Sequence, residues 1–416
     1  MKRSRGFAVL VLMCSNLAAA QQEPSFTLAW ALEEARAANP ELRALGADRT
    51  AAWERVPQVR ALEDPTFSVQ LWNFPFDRRP GAGSMVMLQL GQALPWPGKR
   101  ALRGEVATAS ARIAGENVRT REYEVVAEVT RLYYQLWLNR ATREINRRNQ
   151  ELLEQFRRAA LARVPTGGAG VTDVLRSETE KARLRTELLN LERDRRVLIA
   201  ALNVRLARSA DVALGDPVDY FPPNPTYRYR SLLESAERQR PDLRAANLEV
   251  GRAASQTALA RKSRYPDFMP SVMFMQDVEM GPAWGGMIGV TIPLWAGQKQ
   301  NRAVSEAAAT ATAARERQRV ARLEIERQVR AALAAYESAV ARVQLLRDEV
   351  VPKARTALEA TLAGYVTGRD SLTSVLDGRR VLQDLELEHE RARAEVELAR
   401  AELARAVGGR LPAERQ

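Results

Sequence analysis

Side chains that commonly carry chemistry are scarce in this chain. It has one histidine, His389, in the charged run Glu386-Leu387-Glu388-His389-Glu390, and one cysteine, Cys14. Neither a nucleophilic triad nor a zinc constellation can be assembled from these, and a lone histidine on a polar helix face is expected to be solvated. Gly167-Gly168-Ala169-Gly170 has the composition of a phosphate cradle, but it lacks the Lys-Ser/Thr ending and joins two helical stretches, so it reads as a turn. No catalytic residue is named, and no cofactor is expected. One set of side chains keeps a chemical preference. Apart from Met1 and Met13, the methionines are Met85, Met87, Met269, Met273, Met275, Met280 and Met287, all in or beside short stretches of alternating polarity. Alternation puts Met85, Met87, Met273, Met275 and Met287 opposite the more strongly apolar parity. Thioethers bind soft ions such as Cu(I); unbranched methionine also simply fills space.

The elements that must position these residues occur twice. Pro40-Glu41-Leu42-Arg43-Ala44 returns as Pro241-Asp242-Leu243-Arg244-Ala245, and Thr166-Gly167 and Thr172-Asp173-Val174-Leu175 return as Thr367-Gly368 and Thr373-Ser374-Val375-Leu376, all 201 residues on. A repeat this long is a duplicated structural unit, not a solenoid. In each copy a helical opening leads to two period-two segments, predicted as half-exposed strands at about 66–74 and 84–94, then 271–280 and 283–292. Pro65, Pro95, Pro270 and Pro293 are read as strand-end punctuation. A very long helix follows, Lys99 to Arg163 or Lys299 to Gly364, with nothing to break it and a length of about 100 Å at 1.5 Å per residue. Apolar residues at 4-3-4-3 spacing (Val125, Val129, Leu132, Leu136; Val329, Leu333, Tyr336, Val340) give it a narrow coiled-coil seam. A glycine turn, containing Gly167 and Gly170 or Gly368, reverses the chain into a second helix. The predicted organisation is a first repeat at 21–215 with its hairpin at 99–206, a proline-rich connector at 216–228, and a second repeat at 229–416 with its hairpin at 299–407.

Residues 1–20 read as a secretory signal peptide: Lys2, Arg3 and Arg5, the apolar run Phe7 to Cys14, and Ala18-Ala19-Ala20. Cys14 raises the rival reading of a lipidated N-terminus, against which Met13 stands where a small residue belongs. Cleavage after Ala20 leaves no cysteine, so packing must stabilise the mature chain. Removing the three signal cations lowers the net charge from +12 to +9. Arginines interleaved with glutamates read as solvated helix faces, not as a nucleic-acid surface. No later stretch is apolar enough to be a membrane-spanning helix.

A narrow seam cannot build a globular core, so the hairpins are expected to pack laterally against copies of the same chain. Four strands cannot close a barrel and would leave open edges. Three chains would solve both problems, giving twelve strands around a lumen, into which the five methionines would point, and twelve helical rods continuing it. Only closed barrels or helices satisfy backbone groups in lipid. The fold class is therefore mainly α with short β, in duplicated strand-strand-helical-hairpin units forming a trimeric 12-stranded β-barrel continued by a 12-helix α-barrel. The rivals are an exported coiled-coil structural protein, which leaves the strands unexplained, and a periplasmic adaptor, which needs one hairpin rather than two.

These features carry a family resemblance. The duplicated plan, the Pro-Glu-Leu-Arg opening, the junction Ala93-Leu94-Pro95-Trp96-Pro97-Gly98-Lys99-Arg100 and the tip Gly364-Tyr365-Val366-Thr367-Gly368 with Val375-Leu376-Asp377 resemble the TolC-like outer membrane efflux proteins. The junction and Gly281-Pro282-Ala283-Trp284 are similar to the heavy-metal and cation efflux branch. The resemblance implies a homotrimer in the outer membrane, with its helical barrel in the periplasm, serving as exit duct for metal cations or drugs. Its implied partners are a periplasmic adaptor, a proton-driven inner-membrane pump and outer membrane lipid. It also implies a periplasmic gate: Thr172 and Asp173 match the first-repeat tip, Tyr365 the bonding tyrosine of the second, and Asp377 a ring aspartate. Ser374 departs from a second ring aspartate, and Asp370 occupies the linking-arginine position, with Arg369 one residue earlier.

Overall fold

The computed structural model describes residues 26–74, 81, 83–163 and 170–412. The signal segment, Cys14 and the tip glycine Gly167 lie outside these. Thr27 caps the first helix, α1 (Leu28–Ala38), by accepting from the Trp30 amide at 3.3 Å. Asn39 then caps α2 (Pro40–Arg60), its Oδ1 accepting from the amides of Glu41 at 2.9 Å and Leu42 at 3.3 Å. Pro40 suits the first helical position, where no amide hydrogen is needed. After the strands β1 (Thr66–Trp72) and β2 (Met85–Gly91) come the long helix α3 (Lys99–Arg163) and its return α4 (Val171–Arg205). The second copy repeats this order as α5 (Tyr229–Gln239), α6 (Pro241–Lys262), β3 (Asp267–Asp277), β4 (Gly281–Thr291), α7 (Gln300–Leu345), α8 (Val351–Val366) and α9 (Leu372–Val407).

The two copies share one antiparallel sheet in the order β1-β2-β3-β4. Directly opposed residues point to the same face. Register therefore assembles Phe67, Val69 and Leu71 with Val86, Leu88 and Leu90, Val272 and Phe274, and Trp284 and Ile288 on one face; Ser68, Gln70, Gln89 and Ser271 share the other with the methionines. Pro270 is not strand punctuation: it sits inside β3, which begins four residues before the predicted start. Its carbonyl accepts from the Gln92 amide at 3.0 Å, just beyond the end of β2. In an antiparallel ladder the amide and carbonyl of one residue face the same neighbour, so its missing N–H faces Gln92, where the ladder lapses between β2 and the isolated Leu94–Phe268 bridge. Met280 falls in the β3–β4 turn.

α3 packs against α2, α4, α6 and α9, while α7 packs against α6 and α9, and α8 against α9. The second descending helix is interrupted, contrary to the expectation of an unbroken rod. Leu346–Val350 forms a π-turn in which the Val351 amide reaches back five residues to the Leu346 carbonyl. Pro352 follows at once and has no amide to continue the α ladder, which explains the slip.

The seams are also not left for other chains to cover. Val125, Val129, Tyr133, Leu136 and Trp137 are buried with Phe26, Ala31, Ala35 and Leu214, and Val329, Leu333 and Tyr336 with Leu232, Ala236 and Leu403. A belt of α1, α5 and the connector lies across them. Hydroxyls pin the connector in place: Tyr133 donates to the Val218 carbonyl at 2.6 Å, Tyr134 to Tyr220 at 2.7 Å and Tyr336 to Pro225 at 3.0 Å. Burial pushes the Tyr133 hydroxyl up to about 12. Beside the belt, Glu397 is 5% exposed and faces Arg400 at 3.3 Å.

At equivalent places the copies use different chemistry. Asn39 Nδ2 donates to the Arg205 carbonyl at 3.1 Å; 201 residues on, Arg240 Nη1 donates to the Ala406 carbonyl at 3.3 Å and pairs with Asp242.

What remains uncovered lies at the edges. Among the described residues β1 and β4 each pair on one side only. Leu175, Leu189, Val197 and Val204 stand exposed on α4, and Val320, Leu323 and Leu345 on α7. No helix among the described residues is long and apolar enough to cross a membrane.

Candidate functional site

The hairpin tips gather most of the sequence-predicted residues around a small apolar core. Tyr365, on the last turn of α8, is 6% exposed and packs with Leu153, Phe156, Leu184, Leu358, Leu372, Val375 and Leu376. The turn after it is tight. The Gly364 carbonyl accepts from the amides of Arg369 at 2.8 Å and Asp370 at 3.2 Å, and Gly368 has φ +78°, a conformation that glycine adopts without strain. A Cβ on Gly364 would lie 1.7 Å from Asp370 Oδ2, so Asp370 is folded onto this glycine. Ser371 caps α9, accepting from the Ser374 amide at 3.2 Å, and the two hydroxyls lie 3.0 Å apart. Ser374 thus takes part in a cap at the position where the resemblance expected an aspartate.

The remaining gate candidates face local partners within one chain. Asp173 Oδ2 accepts from the Gly170 amide at 3.3 Å, closing the first turn of α4. Thr172, beside it, is exposed. Arg369 is exposed and its Nε donates to Thr367 Oγ1 at 3.2 Å. Asp377 is 64% exposed on α9, with Arg380 3.8 Å away. Arg176 donates to Thr373 Oγ1, tying α4 to α9. Asp173 and Arg369 are therefore not joined to each other inside one chain.

Beneath the tip lies a cluster that the sequence reading missed. Arg379 is 1% exposed and donates to Asn149 Oδ1 at 3.2 Å, Gln383 Oε1 at 2.8 Å and Glu180 Oε2 at 3.3 Å, joining α3, α4 and α9. Arg380 binds the same carboxylate. Burial pushes Glu180 up, but the Arg380 hydrogen bond and the charges of Arg380, Arg183 and Arg379 outweigh it and hold the carboxyl below its ordinary range.

His389 is likewise not the solvated residue expected. Its side chain is 19% exposed, with Nδ1 3.2 Å from Glu390 Oε1, in a cleft lined by Arg148, Pro352 and Arg355. The π-turn and Pro352 carry this stretch of chain alongside it. Glu390 is pushed up by burial but ends below its ordinary range, through the hydrogen bond with His389 and the Arg393 charge.

On the sheet, Met87 opposes Met275 and Met273 opposes Gly285, while Met85 and Met287 share the same face by register. Met269 joins them, opposite Gly289. The glycines of β4 make room: a Cβ on Gly285 would lie 2.9 Å from Met273 Cγ and 3.3 Å from its Sδ. Among the described residues no three His, Cys, Asp or Glu side chains converge as a metal site.

A duplicated strand-strand-hairpin chain with two open edges and a polar sheet face is the architecture of a channel subunit. Residues 31–207 and 232–409, one span in each copy, match the outer membrane efflux protein family, and the chain belongs to it. It is similar to the cobalt-zinc-cadmium resistance protein CzcC of Cupriavidus metallidurans, at 23% identity over 361 residues covering 86% of this chain and 84% of that one. Its fold is that of the transmembrane channel protein CusC (TM-score 0.81, 16% identity, 92% of each chain) and of the outer membrane protein VceC from Vibrio cholerae (TM-score 0.78, 18% identity, 92% of this chain and 96% of that one). Mainly α with short antiparallel β, in duplicated units, it is an outer membrane efflux channel of the TolC-like kind.

Proposed function

We propose that three copies close head to tail into a 12-stranded barrel in the outer membrane, continued by twelve helices in the periplasm. The observation that carries this reading is the pair of open edges. β1 and β4 lie on opposite sides of the sheet, and the exposed apolar residues of α4 and α7 lie on different helices. One rotation can therefore pair unlike edges of sheet and helices together, and a closed ring satisfies backbone groups that lipid cannot. The mature chain begins near Gln21 and comprises repeats at 21–215 and 229–416. Its partners are a periplasmic adaptor and a proton-driven inner-membrane pump, and its cargo is metal cations, in keeping with the likeness to CzcC.

The tip is the gate. Asp173, Arg369 and Asp377 are exposed or half-exposed with weak local partners. In a ring, Arg369 of one hairpin can donate to Thr172 and Asp173 of its neighbour, Tyr365 supports that tip from within, packed in its own apolar core, and three copies of Asp377 constrict the axis. Electrophoresis without heating tests the assembly. A band at three times the monomer mass that collapses on boiling is expected for protein extracted from the outer membrane fraction, and recovery as a soluble monomer would refute the proposal.

A further inference from the structure

Where strands give way to helices, the surface changes chemistry within a few residues. Ile292, Leu294 and Trp295, just after β4, are 65%, 77% and 73% exposed. In the first copy's corresponding segment, Trp96 stacks on Tyr265 and Phe268, at 5.1 and 5.9 Å between ring centroids. These side chains lie at the helix-proximal end of the sheet's apolar face. Cations come next. Some are committed: Lys99 is buried against Asp267 at 2.7 Å, Arg103 faces Glu63 at 3.8 Å, and Lys262 donates to the Pro97 carbonyl at 3.2 Å. Four are not. Arg261 and Arg264 at the end of α6, and Lys299 and Arg302 at the start of α7, are exposed, and among the described residues none has a carboxylate within 4 Å. α6 and α7 pack side by side, so the four share one rim.

We propose that this rim seats on the phosphate headgroups of an anionic phospholipid leaflet, the one nearest the helices, and that the protein enriches phosphatidylglycerol there. The inference rests on the barrel reading above. Exposed tryptophan and leucine beside cations on long stems match a plane of negative charge backed by hydrocarbon. A soluble anion would match only the charge, and a protein partner would not account for the continuity with the lipid-facing side of the sheet.

The test uses the full-length trimer in phosphatidylethanolamine–phosphatidylglycerol vesicles in which one lipid at a time carries brominated acyl chains. The readout is the tryptophan quenching lost in Trp295→Phe. Brominated phosphatidylglycerol is expected to quench this component about two- to three-fold more effectively, mole for mole, than brominated phosphatidylethanolamine. The preference should vanish in Arg261→Gln/Arg264→Gln/Lys299→Gln/Arg302→Gln. It should also vanish for the unmodified protein in about 1 M salt, where the Debye length is about 3 Å, so the test survives a variant that fails to assemble. Equal quenching by both lipids at low salt overturns the inference and leaves the barrel standing. No quenching by either lipid removes the barrel reading itself. Loss of the preference on adding millimolar inorganic phosphate, but not chloride of equal ionic strength, overturns the inference in favour of a free-anion site.

Discussion

Arg379 is, after Trp137, the largest side chain fully buried among the described residues, and nothing in its local sequence marks it. Arginine and glutamate recur along every helix, and only the meeting of α3, α4 and α9 takes this one pair out of water. A buried charge whose partner is removed destabilises by about 3–5 kcal/mol. Arg379→Ala should therefore lower the thermal midpoint of the purified protein sharply, while Arg147→Ala, at an arginine with no carboxylate within 4 Å among the described residues, should leave it nearly unchanged. Equal midpoints for the two variants would show that the cluster is not a brace. Because Glu180 is held below its ordinary range, its contribution is present above the unfolded carboxyl range and is lost as pH falls below it. Glu397 has the opposite sign. Burial raises it to about 7, only partly offset by Arg400, so the fold favours its protonated form and loses that contribution as pH rises from about 4.5 through 7. Glu397→Gln should accordingly stabilise the protein at pH 8 and do little at pH 5; a pH-independent difference between the two proteins would contradict this. The residues of the proposed gate stand out in the sequence only as motif positions. Their local partners do not stand out at all, because the caps at Gly170 and Ser371 depend on backbone geometry that residue types do not reveal.

At the scale of elements, period-two alternation located all four strands, and register then placed the five predicted methionines on one face. Met269 was missed because the predicted strand began after Pro270, whereas the proline sits within β3 where its ladder to β2 lapses before the Leu94–Phe268 bridge. Gly285 and Gly289, lying bare opposite Met273 and Met269, favour methionine as a filler of space over a ligand for soft ions. Replacing Met85, Met87, Met273, Met275 and Met287 by leucine should leave trimer yield and silver tolerance unchanged in cells that depend on this channel. A fall in tolerance with yield preserved would instead assign the thioethers a part in metal passage. The π-turn could not be read from periodicity, which continues on both sides of it, although Pro352 was the available signal.

For the molecule as a whole, the duplication was visible in matched motifs, whereas the belt was not. Its helices are short, and their role depends on the connector being held against α3 and α7 by Tyr133, Tyr134 and Tyr336. With the seams covered internally, contact between copies in the proposed ring is left to the edges and the tips, and this makes the proposed gate separable from the fold. Tyr365→Phe with Arg369→Ser should raise single-channel conductance in planar bilayers while trimer yield stays constant. Charge-assisted hydrogen bonds are worth about 1.5–3 kcal/mol each, and three-fold symmetry multiplies their loss. Asp377→Ala should separately weaken cation preference. Unchanged conductance and selectivity would mean that the tip closes by other contacts, with Ser374 and Asp370 the places to look.

The unlike latches at Asn39 and Arg240 bear on the history of the chain. Both reach the same carbonyl position at the end of the returning helix, one with a neutral amide and the other with a guanidinium that also needs Asp242 and Gln328. An ancestral half that latched onto itself would have been interchangeable with any other, free to build rings from six equal pieces. The halves of this chain are no longer equal pieces: exchanging Asn39 and Arg240 would take the guanidinium away from Asp242 and Gln328, so neither latch serves unaided in the other's place.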